Sequence, residues 1–170
     1  EGIREDHKGR YFHAAQFIKE KEIVLDCACG VGYGTWILAN ETALARITGV
    51  DLSGAAIKYA EKYYSSEKIE YICSDIFNFH PKGWVYDTIV SFETVEHVKD
   101  ADRLIEYFGT LMKPGGKLII STPNEQKMTY NKNTFRFHER HFTPAEFEKL
   151  LTVHKFEIIA KFTQHGRESG

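Results

Sequence analysis

Short apolar runs alternate along the chain with longer segments of helical period. Residues 23–26, 46–50, 69–73, 88–92, 117–121 and 156–162 are mostly apolar, without strict alternation, and read as six strands. Between them, residues 10–20 carry Tyr11, Ala14, Ala15 and Ile18 at helical spacing. Residues 36–40 read as a helix, and Ser53 caps another that runs to about residue 65. Residues 100–111 put Leu104, Ile105, Phe108 and Leu111 on one face. Pro144 suits the first turn of a last helix, ending near residue 151. Strands that are apolar rather than alternating are covered on both faces. The order predicts an α/β fold, a doubly wound and mostly parallel sheet with helices on both faces.

Acids close these strands. Asp26, Asp51, Asp75 and Glu93 follow the first four in turn, and ligands of doubly wound sheets bind at the carboxyl ends of strands. After the first strand comes a loop rich in glycine, Gly30, Gly32 and Gly34. Asp51 lies 51 − 30 = 21 positions beyond Gly30, the distance at which an acid binds ribose hydroxyls in nucleoside-binding folds. No Gly-Lys-Ser/Thr follows, which excludes a phosphate-gripping NTPase loop, and the glycine spacing misses the dinucleotide pattern. Asp26, just before the glycines, would repel a pyrophosphate and suits a cationic ligand part, such as an ammonium or a sulfonium.

Composition narrows the class further. A chain of 170 residues is expected to be one domain, 1–170. The net charge of −2 gives no bulk electrostatic grip on nucleic acid. No apolar run reaches the roughly 18 residues of a membrane span, and the polar N-terminus does not read as a signal peptide. Three cysteines make no disulfide framework, and Cys27, Cys29 and Cys73 lack the further Cys or His pair that zinc would need. A cytoplasmic location and no metal are expected.

The strings Asp26-x-Ala28-x-Gly30-x-Gly32, Gly49-Val50-Asp51-Leu52-Ser53 and Cys73-Ser74-Asp75-Ile76 resemble successive motifs of class I S-adenosylmethionine-dependent methyltransferases, type 11/12/23-like. Residues 111–118 resemble that family's turn before the fifth strand. The resemblance covers about residues 20–160 and implies a Rossmann-like sheet, S-adenosyl-L-methionine as cofactor and S-adenosyl-L-homocysteine as product. It implies that the Gly30–Gly34 backbone, with Ala28 where glycine is usual, packs on the methionine part beside Asp26. Asp51 and Leu52 would take the ribose, and Asp75 and Ile76 the adenine. Phe92 and Glu93 would form the floor near the methyl. Residues 1–20, with Tyr11, resemble a lid helix.

Methyl transfer from a sulfonium depends mostly on alignment, and a base is needed where the acceptor is a hydroxyl. A helix beginning near Glu93 would put Glu93, Glu96 and His97 on one face. Residues 122–142 form a loop too long for a plain connection, with His138 among scattered cations and aromatics. The expected catalytic residues are therefore His97, Glu93 and His138, and the expected acceptor is a small molecule or a sugar, most simply methylated at oxygen. Two other readings stand beside this one. Glu93-x-x-Glu96-His97 with His138 or His141 resembles the metal-binding set of small-RNA 3′-terminal 2′-O-methyltransferases. The third reading is a cofactor-binding module without activity. A sheet ending at its sixth strand would leave an edge open to a second copy, hence a homodimer.

Overall fold

The computed structural model describes residues 5–81 and 85–163. In chain order the elements are α1 (Glu5–Ala15), β1 (Ile23–Cys27), α2 (Tyr33–Glu41), β2 (Arg46–Asp51), α3 (Gly54–Tyr63), β3 (Ile69–Cys73), β4 (Tyr86–Phe92), α4 (Ala101–Leu111), β5 (Met112–Ser121) and α5 (Pro144–Val153). The strands form a five-stranded sheet in the order β3-β2-β1-β4-β5, with every pair parallel. This is the Rossmann-like α/β architecture that the alternation of runs predicts.

Successive residues of β1 feed opposite sides of the sheet. Val24 joins a core of Tyr11, Ala14, Ile37, Leu38, Ile47 and Val90 beneath α1 and α2. Leu25 and Cys27 join the other, with Ile89, Leu104, Ile105, Phe108 and Leu150 beneath α4 and α5. The helices there have clear start signals. Asp100 accepts the Arg103 N–H at 2.9 Å, and Thr143 and Glu146 form a reciprocal capping box with Pro144 in the first turn. At the amino end of the sheet, Asp87 accepts the Ile23 N–H and pairs with Lys113, each at 2.8 Å. Glu22 pairs with Lys117 and accepts the Thr88 hydroxyl.

Two elements depart from the sequence pattern. The expected turn at Pro114–Gly116 is a bulge within β5. Tyr86 faces Met112 and Thr88 faces Lys117, so β5 runs five positions while β4 runs two. Gly115 carries a φ of +76° there. The expected sixth strand, 156–162, does not form among the described residues. The Phe156 N–H turns back to Leu151 O, and Phe162 rests on the rings of His13 and Phe17 rather than pairing along β5. Residues 1–4 of the expected lid segment lie outside the described residues. No helix among them is long and apolar enough to cross a membrane.

Phe108 is fully buried in the larger core. Phe108→Ala is expected to cost about 3–5 kcal/mol of stability, read by urea unfolding with an unchanged slope.

Candidate active site

The chain crosses from one side of the sheet to the other between β1 and β4, so the loops leaving these strands diverge and open a crevice. Gly30, with φ +56°, lines that crevice, and a Cβ there would meet nothing within 4 Å. Gly32, with φ +86°, serves a different purpose. A Cβ on it would sit 2.5 Å from the Ala60 Cβ and 2.7 Å from the Tyr71 hydroxyl, so this glycine lets the loop seat on α3 and β3. Ala28 holds φ +61°, a conformation that suits glycine better. Asp51 ties the loop down. One carboxylate oxygen accepts the Gly30 N–H at 2.8 Å and the other the Ser53 N–H at 2.8 Å. An ionised carboxylate has about four lone-pair sites, so acceptor capacity is left over.

The cleft beside Gly30 is lined by His7, Arg10, Tyr11, Ala28, Cys29, Tyr33, Phe92 and Glu93. Tyr11 descends from α1 edge-on to Phe92, ring centres 5.0 Å apart, and to Tyr33 at 5.6 Å. Its hydroxyl donates to Asp26 at 3.2 Å. Asp26 is fully buried behind the loop and also accepts from Thr35 at 2.6 Å. Burial pushes its carboxyl up to about 7, against the pull of the two hydrogen bonds. Asp75 accepts the Phe77 N–H at 2.8 Å and starts a short turn containing Ile76. Leu52 is exposed. These last three stand at the ends of β2 and β3, apart from the residues lining the cleft.

The segment after β4 is not the expected helix. Glu93 takes φ +50°, and one 3-10 turn follows at Val95–His97. That geometry divides Glu93 from Glu96. Glu93 stays at the cleft, accepting the Ser121 hydroxyl at 2.7 Å with Arg10 at 3.5 Å. Glu96 is buried completely, with Oε2 taking the Thr122 hydroxyl at 3.2 Å and Oε1 without a partner among the described residues. Burial, then the Glu93 charge, pushes its carboxyl up to about 8. The loop 122–142 folds back on this turn, where Glu96 O accepts the Glu139 N–H at 2.7 Å. His97 Nδ1 meets Phe137 O at 2.9 Å, and the His97 and His138 rings lie 4.5 Å apart. One ligand-competent atom from each of Glu96, His97 and His138 lies within 4.8 Å of the others. Burial, then the His97 and His141 rings, holds His138 below the ordinary imidazole range.

His97 and His138 thus adjoin one another, as do Tyr11, Ala28, Gly30, Phe92 and Glu93. Arg10, Thr35 and His141 also join the site, although the pattern of strand ends carried no signal for them. The sequence offers His141 only as the alternative to His138 in the metal-binding set.

A family model for a methyltransferase domain matches residues 4–161. Ubiquinone biosynthesis O-methyltransferase of Coxiella burnetii (strain Dugway 5J108-111) is 38% identical over 109 residues, 63% of this chain and 46% of that protein. Malonyl-acyl-carrier-protein O-methyltransferase of Priestia megaterium (strain DSM 319 / IMG 1521) is 31% identical over 109 residues, 64% of this chain and 39% of that protein. The chain spans about half the length, or less, of these curated relatives. The plantazolicin methyltransferase BpumL, solved in complex with SAH, superposes with a TM-score of 0.77 at 25% identity, over 89% of this chain and 65% of that one. A Haloferax volcanii methyltransferase complex with the activator Trm112 gives a TM-score of 0.77 at 18% identity, over 88% and 69%, a likeness of fold alone.

The raised Asp26 carboxyl makes a prediction about stability. Between about pH 4 and 7 the folded protein keeps a proton on Asp26 that the unfolded chain has lost, so this group's contribution to stability falls as pH rises through that window. The gap in unfolding free energy between pH 5 and pH 7.5 is expected to differ between the cofactor-free wild type and Asp26→Asn. The wild type should carry an extra loss at the higher pH, measured by urea unfolding.

Proposed function

The chain belongs to the methyltransferase-domain family, and from that premise we propose that it transfers the methyl group of S-adenosyl-L-methionine to an oxygen of a small-molecule or sugar acceptor. The product would be S-adenosyl-L-homocysteine. One observation carries this reading. The open Gly30 cradle, tied to Asp51, shares a cleft with Glu93, and the turn that follows Glu93 brings His97 against His138. The relatives named as O-methyltransferases support oxygen as the atom methylated. A binding module would need only the cradle. We place the protein in the cytoplasm, with a second copy of the chain as the candidate protein partner.

The cofactor supplies a methyl already activated on a positively charged sulfur. In this reading the backbone at Ala28, Gly30 and Gly32 receives the methionine part, and Tyr11 and Phe92 exclude water. Asp26 sets the charge behind the loop through the Tyr11 hydroxyl. Asp51 and Leu52 take the ribose, where the spare lone pairs of Asp51 accept its hydroxyls. Asp75 and Ile76 take the adenine. Across the crevice, a carbonyl can only accept, so His97 donates Nδ1–H to Phe137 O and its Nε2 is the atom left to take the acceptor's proton. Glu93 and His138 orient that hydroxyl.

A second reading is metal-assisted transfer, extending to the 3′-terminal ribose of RNA. It is favoured by the convergence of Glu96, His97 and His138 and by the unpartnered, buried Glu96 Oε1, a donor set suited to a divalent ion. The net charge of −2 disfavours RNA, since phosphate-bound substrates usually demand a basic surface.

Asp51→Asn is expected to stay folded and to bind S-adenosyl-L-methionine more than tenfold more weakly, about 1.4 kcal/mol, by calorimetric titration. Equal affinity would remove Asp51 from the site. A panel of sugars, phenolic metabolites and 3′-terminal RNA, screened with labelled cofactor, supplies the acceptor. His97→Ala should then lower turnover by roughly 10²–10⁴ while cofactor affinity holds. Activity on RNA alone, abolished by chelator and restored by Mg²⁺ or Mn²⁺, would replace the first reading with the second.

A further inference from the structure

We infer that His141 is a positioning residue, fixing the tautomer of His138 so that its Nε2 is the nitrogen left bare, in the cluster it forms with Glu96 and His97. The argument begins at a backbone carbonyl. Met128 O lies 2.6 Å from His141 Nδ1, and a carbonyl only accepts, so Nδ1 carries the hydrogen. A neutral His141 then has its lone pair on Nε2. That nitrogen lies 2.7 Å from His138 Nδ1, which must therefore donate. The only lone pair left to a neutral His138 is on Nε2, the nitrogen not engaged by His141.

The surroundings hold this relay in one state. The His141 side chain is fully buried, so water cannot replace either partner. Phe135 and Tyr130 flank its ring, with centres 4.6 and 5.5 Å away. Glu125 Oε2 stands 3.6 Å from Nδ1, on the side where the hydrogen points. The Glu125 N–H donates to Phe142 O at 2.9 Å, which brings the start of the loop, with Met128, against His141 near its end. His97 is set by the same logic through Phe137 O. Both rings thus keep their hydrogen on Nδ1 and a bare Nε2, in a cluster where Glu96, His97 and His138 each bring one ligand-competent atom within 4.8 Å of the others.

The tautomer stands independently of the reaction, and only its kinetic consequence rests on the proposed methyl transfer. Long-range ¹H–¹⁵N correlation spectra of the full chain, with histidine labelled and signals assigned through His138→Gln and His141→Gln, read it directly. The expected result is protonated Nδ1 and bare Nε2 on both rings. A His138 protonated on Nε2, or a doubly protonated His141, overturns the inference whatever the enzyme does. His141→Phe keeps the bulk and removes the acceptor. It should release His138 toward the other tautomer and lower kcat about tenfold to a hundredfold, with the cofactor KM unchanged. His141→Gln returns an acceptor and should recover most of kcat. A folded His141→Phe with wild-type kcat, or with a loss confined to stability, also overturns the inference. If that variant does not fold, the wild-type spectrum decides.

Discussion

The reversal of strand order between β1 and β4 is the constraint from which the site follows. Parallel neighbours joined by helices on opposite faces leave their exit loops diverging, and only at β1 and β4 does that happen within this sheet. Both loops leave their strands through residues of positive φ, Ala28 and Gly30 after β1 and Glu93 after β4. A left-handed residue turns the chain sharply, which keeps each loop over its own strand end instead of letting it run on as a helix. Non-glycine residues pay for that conformation, and such strain tends to persist where the surroundings over-determine it. Glu93 is over-determined by Ser121 and by Arg10 on α1.

On each side of the crevice a carboxyl is sealed from water, Asp26 behind the glycine loop and Glu96 beneath the His97 turn. They are not equivalent. Asp26 has a donor on each oxygen, Tyr11 and Thr35, and so acts as a complete unit that pins α1 to β1. Glu96 has a donor on one oxygen only. A buried polar atom without a partner costs about 1–3 kcal/mol. The difference separates a carboxyl satisfied within the fold from one that is satisfied only in part.

Much of this arrangement was legible in the chain. Central strands are buried on both faces, so β1, β2 and β4 announce themselves as apolar runs, and the acids beyond them mark the carboxyl end of the sheet. Four features were hidden. A helix from Glu93 is the natural reading of Glu93, Glu96 and His97 at i, i+3 and i+4, because nothing in the residue names shows a positive φ. The run 156–162 has strand composition, but a strand also needs a partner, and pairing is not local information. Tyr11 could be placed on a helix and Asp26 at a strand end, while the hydrogen bond between them depends on how α1 crosses the sheet. The contact of His141 with Met128 O was hidden for the same reason, since the two residues are 13 positions apart.

Glu93 links the two halves of the site more directly than any other residue. Its carboxylate lies on the wall of the cleft beside Tyr11, Ala28 and Phe92. Its backbone N–H donates to Ser121 O at 3.1 Å, continuing the β4–β5 ladder by one residue beyond the strands. Its side chain then returns to the Ser121 hydroxyl, so main chain and side chain hold the same neighbour. Next to Ser121 is Thr122, which donates to Glu96, and the carbonyl of Glu96 receives the far end of the long loop at Glu139. Cleft wall, sheet edge, buried carboxyl and loop are therefore joined by consecutive hydrogen bonds. A displacement at any of them changes the spacing between the Gly30 loop and the two histidine rings, the distance on which the proposed in-line transfer would depend most steeply.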